Sequence, residues 1–393
     1  MSIFDNDRKY IADTYKRFKV AFVKGKGSLL YDVDGKEYID LASGVAVNIF
    51  GICDDEWKEA VINQLNQIQH TSNMFYSLPQ TELARILCER TGMKKVFFSN
   101  SGAEANETAI KAVRKYSYDK YGEGRHTIIT LECSFHGRTM GALSATGQPA
   151  YHVGFGPILE GFVYTPANDV EKLRENVEKN NVCAIMLEFI QGEGGLNMLT
   201  EEFIKAAAEI CKEKDILFIA DEVQTGNGRT GKLYAYMHYG LEPDVITTAK
   251  GLGAGLPIGA TMLGEKLKDV FAPGTHGATF GGNPVCAAGA VSVMNRLTDD
   301  LMAEVKEKGE YIKTQLKDAK GVKSVCGLGL MVGIETEAPP ADVAQKAVEN
   351  GVLVLTAKTK VRLLPPLNIP FEDLKRAVEI LKKVIAEEAE KVK

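Results

Sequence analysis

Five short apolar runs, near residues 96, 127, 183, 216 and 245, recur along the 393-residue chain with helix-forming segments between them. The clearest, Ile216-Leu217-Phe218-Ile219-Ala220, offers no polar side chain to water and therefore reads as a strand buried on both faces. Such runs alternating with helices specify an α/β fold, with a mainly parallel central sheet and right-handed crossovers. Ile258 to Leu263 adds one more strand.

The flanking segments follow other patterns. Residues 1 to 20 read as a short helix, and Leu29 to Leu41 as a hairpin turning at Asp34-Gly35. Residues 55 to 69 and Thr81 to Arg90 read as helices. From Pro284 the composition shifts to one long helix through Asp318, short strands at Leu330 to Ile334, Val352 to Leu355 and Val361 to Leu364, and a charged final helix. A chain of this length exceeds a single core, so two domains are expected. These are a large unit over residues 51–283 and a small α+β unit over 284–393, with an arm and hairpin over 1–50 packing with the small unit.

Charge and composition exclude several classes. The formal charge of -5 comes without any basic stripe, which argues against a nucleic-acid partner. Seven cysteines, odd in number and never in a CxxC pair, suit free thiols in a reducing cytoplasm. The six histidines lack metal-ligand spacing, so no metal is expected. No apolar run reaches membrane-spanning length, and the opening MSIFDNDRKYIADTYKRFKV lacks the core of a signal peptide.

Chemistry concentrates where the strands end. The 216 run stops on Asp221 and Glu222, and Asp244-Val245-Ile246-Thr247-Thr248-Ala249 stops on Lys250 before a glycine-rich turn. An acid and a lone lysine at the carboxyl edge of an open α/β sheet stand where such sheets bind ligands. Val96 to Ser99 leads through Ser101-Gly102 into a helix, whose unpaired N–H groups and dipole suit a phosphate. Two nucleotide-binding readings fail. GNGRTGKL (226–233) nearly spells a phosphate loop, but Leu233 occupies the required hydroxyl position. GLGAG lacks a third glycine and a following acid.

These stretches resemble the class III pyridoxal-phosphate aminotransferases. The resemblance rests on SNSGAEANE, SFHGR, DEVQTGNGRTGKLYAY and TTAKGLGAGLPIG, and extends over nearly the whole chain. It implies the PLP-dependent transferase fold type I. Lys250 would then carry the cofactor as a Schiff base and act as catalytic base, while the carboxylate of Asp221 would stabilise the protonated ring nitrogen. Gly102 and Ala103 would hold the phosphate, Phe135 and Val223 would clamp the ring, and Gln224 would bond its phenolic oxygen. Thr279 would reach the phosphate of a partner subunit, making the protein a homodimer with active sites at the interface.

For the substrates, the resemblance assigns Arg138 to a carboxylate and Glu193 to covering or uncovering Arg362. Ala278 stands where the family often carries a serine, leaving only a backbone contact there. His136 reads as a structural hydrogen-bonding residue, and Glu188 as a supporting acid. The implied reaction moves the δ-amino group of N2-acetyl-L-ornithine to 2-oxoglutarate, giving N-acetyl-L-glutamate 5-semialdehyde and glutamate in arginine biosynthesis. Ornithine, succinylornithine, succinyl-diaminopimelate and 4-aminobutyrate are the alternative donors.

Overall fold

The computed structural model describes residues 2–392. Its central sheet has seven strands, in the spatial order Lys95–Ser99, Gly259–Leu263, Val245–Thr248, Leu217–Asp221, Val182–Leu187, Thr127–Leu131 and Phe162–Thr165. Gly259–Leu263 runs antiparallel to both neighbours, and the other pairings are parallel.

Period-two alternation distributes each apolar run between two cores. Ile128, Ala184, Met186, Leu217, Ile219 and Val245 pack with Ala109, Ala112 and Val113 of the helix Gly102–Tyr121. Ile129, Ile185, Leu187, Phe218, Ala220 and Ile246 face the opposite way, into the core that includes Phe203, Ile204 and Ile210 of the helix Glu201–Glu213. Burial on both faces is why these strands are mostly apolar and carry no charged residue until they end.

Two departures from the sequence reading have local causes. The expected single helix from Pro284 to Asp318 is two helices, Pro284–Arg296 and Asp299–Leu316. Thr298 is the break: its hydroxyl accepts from Leu301 N and caps the second helix, with Asp299 and Asp300 in the first turn. The seventh strand, Phe162–Thr165, was not anticipated; it has only four residues and lies at the sheet edge, pairing with Ile128–Leu131.

Two four-stranded sheets accompany the central one. The first joins Phe22–Lys26, Leu29–Asp32 and Glu37–Asp40 to Val352–Leu353, so the N-terminal hairpin pairs with a strand from the C-terminal third. The second is antiparallel and contains Val322–Leu328, Met331–Thr336, Lys360–Leu363 and Leu355–Ala357. All seven cysteines are free, and no described helix is long and apolar enough to cross a membrane.

Candidate active site

A cavity of about 220 Å³ opens at the carboxyl edge of the central sheet. Its lining includes Gly102, Ala103, Phe135, Arg138, Asp221, Val223, Gln224 and Lys250, together with Asn106, His136, Gly137 and Glu188. Five strand ends therefore converge on one volume, because these five strands run in the same direction.

Asp221 is the fixed charge of the cavity. Its Oδ2 accepts from Asn106 Nδ2 at 2.8 Å and from His136 Nδ1 at 2.7 Å, and its Oδ1 accepts from Val223 N at 3.0 Å. A carboxylate offers roughly four acceptor positions, so one remains on this buried group that lines the cavity. Burial disfavours the His136 imidazolium, yet the hydrogen bond and charge of Asp221 outweigh it and move its pKa upward. Glu188 is buried beneath: Oε1 accepts from Phe135 N at 2.8 Å and Oε2 from Gly192 N at 3.2 Å. Burial raises its pKa, opposed chiefly by His136.

Lys250 sits half-buried in a left-handed conformation, with φ of 44°. A non-glycine residue there stores strain, which its surroundings must hold in place. Asn227 does so, its Nδ2 donating to Thr248 Oγ1 at 2.9 Å and to Ala249 O at 3.1 Å. The Lys250 amine has no ion-pair partner among the described residues. Burial lowers its pKa, against the attraction of Glu193.

Beside them the helix Gly102–Tyr121 begins. Ser101 caps it by accepting from Glu104 N at 3.2 Å, and the Glu104 carboxylate accepts from Asn100 N at 2.7 Å. Gly102 must be glycine, because a Cβ would come within 2.5 Å of Val223 Cγ1. The backbone N–H groups of the first helical residues have no intrahelical acceptor and form a cradle for an anion.

Arg362 and Glu193 do not line the cavity, and Arg362 stands behind its Gln224 wall. Its Nη1 donates to Glu193 Oε1 at 2.6 Å, to Gly192 O at 2.9 Å and to Gln224 Oε1 at 3.1 Å. Arg138, by contrast, is exposed and has no ion-pair partner among the described residues. Ala278 and Thr279 do not line this cavity; Ala278 borders a separate groove, and Thr279 is exposed.

The sequence reading overlooked Asn106 and gave His136 no contact with Asp221. Asn106 had a readable signal, as a polar residue between Ala105 and Ala109 on the buried face of a helix. Among the described residues no cluster of His, Cys, Asp or Glu could hold a metal ion.

A profile of the aminotransferase class-III family matches residues 10–385. The acetylornithine aminotransferase of Haemophilus ducreyi is 49% identical over 97% of this chain and 98% of its own length. That of Caldanaerobacter subterraneus is 50% identical over 97% and 98%. The crystal structure of ornithine aminotransferase from Toxoplasma gondii superimposes with a TM-score of 0.94 at 34% identity, covering 99% of this chain and 95% of that one.

Proposed function

The chain belongs to the class-III aminotransferases, and from that membership we propose that it transfers the δ-amino group of N2-acetyl-L-ornithine to 2-oxoglutarate. The products are N-acetyl-L-glutamate 5-semialdehyde and L-glutamate, a step of arginine biosynthesis. The family works with pyridoxal 5'-phosphate. When bound, this cofactor supplies an aldehyde that exchanges amino groups and a ring that takes up the electron pair left when a carbon loses its proton.

The residues fit that group. The open acceptor position on Asp221 would hold a proton on the ring nitrogen, and the Asn106 and His136 contacts keep the carboxylate oriented. Gly102 and Ala103 would hold the phosphate at the helix start. Phe135 and Val223 would flank the ring, with Gln224 near its phenolic oxygen. Lys250 would attach the cofactor; its lowered pKa increases the share of neutral amine, the form that takes a proton from the substrate carbon.

Substrate recognition falls to two arginines. Arg138 would grip a carboxylate through its planar fork, while Arg362 would serve 2-oxoglutarate and glutamate, covered by Glu193 when acetylornithine is bound. Ala278 would contribute only backbone. In this reading residues 51–283 form the cofactor-binding unit, and the 1–50 arm and hairpin pack with the small 284–393 unit.

We place the protein in the cytoplasm as a homodimer. Met74, Phe75, Tyr76, Leu78 and Phe280 are exposed, an apolar surface that a second copy would cover. Asn73 Nδ2 ties this surface to the Thr279 loop, donating to Ala278 O at 3.0 Å and Gly281 O at 2.9 Å. Thr279 would thereby reach the partner's phosphate.

The observation that carries the function is the Glu193–Arg362 pair beside Lys250, since a removable cover on an arginine suits two substrates that differ by one carboxylate. The test is a panel of amino donors with 2-oxoglutarate. Acetylornithine is expected to exceed ornithine and 4-aminobutyrate in kcat/KM by at least about ten-fold, the discrimination one polar group supplies. A higher value for ornithine would favour the activity of the T. gondii neighbour instead.

A further inference from the structure

We propose that Tyr151 is a positioning residue that holds the Arg138 fork open for carboxylates. This rests on the reading of Arg138 above and adds the device that aims it. The guanidinium carbon of Arg138 lies 3.9 Å from the Tyr151 ring centre and 5.4 Å from that of Phe135. The two rings meet edge to face, at 87° with centroids 6.1 Å apart, and make a corner.

Three physical points favour a role beyond packing. An exposed arginine left to itself samples many rotamers, and each must be given up when a ligand is gripped. A ring against the guanidinium removes much of that freedom before the ligand arrives. A guanidinium also carries its five N–H donors in its own plane, whereas a ring attracts it through its face. A carboxylate partner would compete with the substrate for the N–H groups, and a ring does not. Arg362, covered by Glu193, is the opposite case.

Tyr151 is itself anchored to the segment that leads to Arg138. It ends the turn Pro149–Tyr151, and its N–H donates to Gln148 O at 3.0 Å. Gln148 is buried, and its Nε2 donates to Ser134 O at 3.0 Å, while Gly147 N donates to Ser134 Oγ at 3.0 Å. Ser134 immediately precedes Phe135, so the Phe135 ring, the Tyr151 ring and the Arg138 backbone share one scaffold.

An arginine held permanently open serves both half-reactions equally. In Tyr151→Leu, KM for acetylornithine and for 2-oxoglutarate should each rise about five-fold, the order of an exposed cation–ring contact, with kcat within about two-fold. Tyr151→Phe, which retains the ring, should restore both KM values. In an Arg138→Ala background, Tyr151→Leu should add nothing, because its effect passes through the arginine. Equal losses in the Leu and Phe variants, a rise confined to one substrate, or a full additional rise in the Arg138→Ala background would each overturn the proposal. An unchanged KM in Arg138→Ala alone would remove the Arg138 assignment itself.

Discussion

Glu193 and Arg362 form an ion pair at 2.6 Å in which only one partner is free to leave. The arginine side chain is 4% exposed and also bonded to Gly192 O and Gln224 Oε1, whereas the glutamate side chain is 27% exposed. Moving Arg362 would strand a buried cation, but swinging Glu193 outward returns a carboxylate to water. The glutamate is therefore the moving cover. Glu193→Ala should lower kcat/KM for acetylornithine about ten-fold relative to that for glutamate, since the cation then stays uncovered in both half-reactions. Single-turnover rates with each donor check this, and an unchanged ratio would refute it.

The contact between Gly102 and Val223 predicts a defect specific to the cofactor. Gly102→Ala would push a Cβ against Val223 Cγ1, displacing the side chain expected on one ring face or the helix start expected at the phosphate. Half-saturation by pyridoxal 5'-phosphate should rise about ten-fold or more, with a stability loss of only about 1–3 kcal/mol from overpacking. Adding Val223→Ala should recover part of the affinity. Absence of any recovery would count against the clash.

Asp221→Asn keeps the shape of the side chain but removes its charge. The His136 pKa, raised in the parent because Asp221 overcomes burial, should then fall below its ordinary 6.5. Nitrogen NMR of labelled histidine would show the imidazole neutral at pH 6.5 in the variant and protonated in the parent. Cofactor affinity should fall in parallel.

Glu222 predicts a pH effect on stability. Burial raises its carboxyl to about 7 from an ordinary 4.5, against hydrogen bonds from Thr225 Oγ1 and Tyr236 N. The folded state thus holds this proton more tightly than the unfolded state. Its contribution is complete below about pH 4.5 and is lost as the pH rises through about 7. Glu222→Gln, which does not titrate, should gain on the parent between pH 5 and pH 8, by up to ~3 kcal/mol. A melting-temperature difference that stays constant over that range would contradict this.

Much of the sheet was legible because its cause is local. Runs such as Leu217–Ala220 must be buried on both faces whatever surrounds them, and the polar residues Asp221 and Lys250 mark where the apolar runs end. The boundary at Thr298 was also written in the sequence, as a hydroxyl followed by two acids, but the apolar residues on either side obscured it. Phe162–Thr165 was not legible, because a four-residue edge strand has too few alternations to stand out.

The sequence alone determined the long buried strands of the central sheet, where those end and which reactive side chains stand at their ends, because these depend on patterns a few residues long. Tertiary structure alone decided which of those ends share a cavity and which partner each side chain takes. Asn106 meets Asp221 across 115 positions, and Arg362 meets Glu193 across 169. No short pattern encodes such pairs; they arise when crossovers bring distant strands side by side, so that a buried charge can reach only the groups the sheet order places next to it.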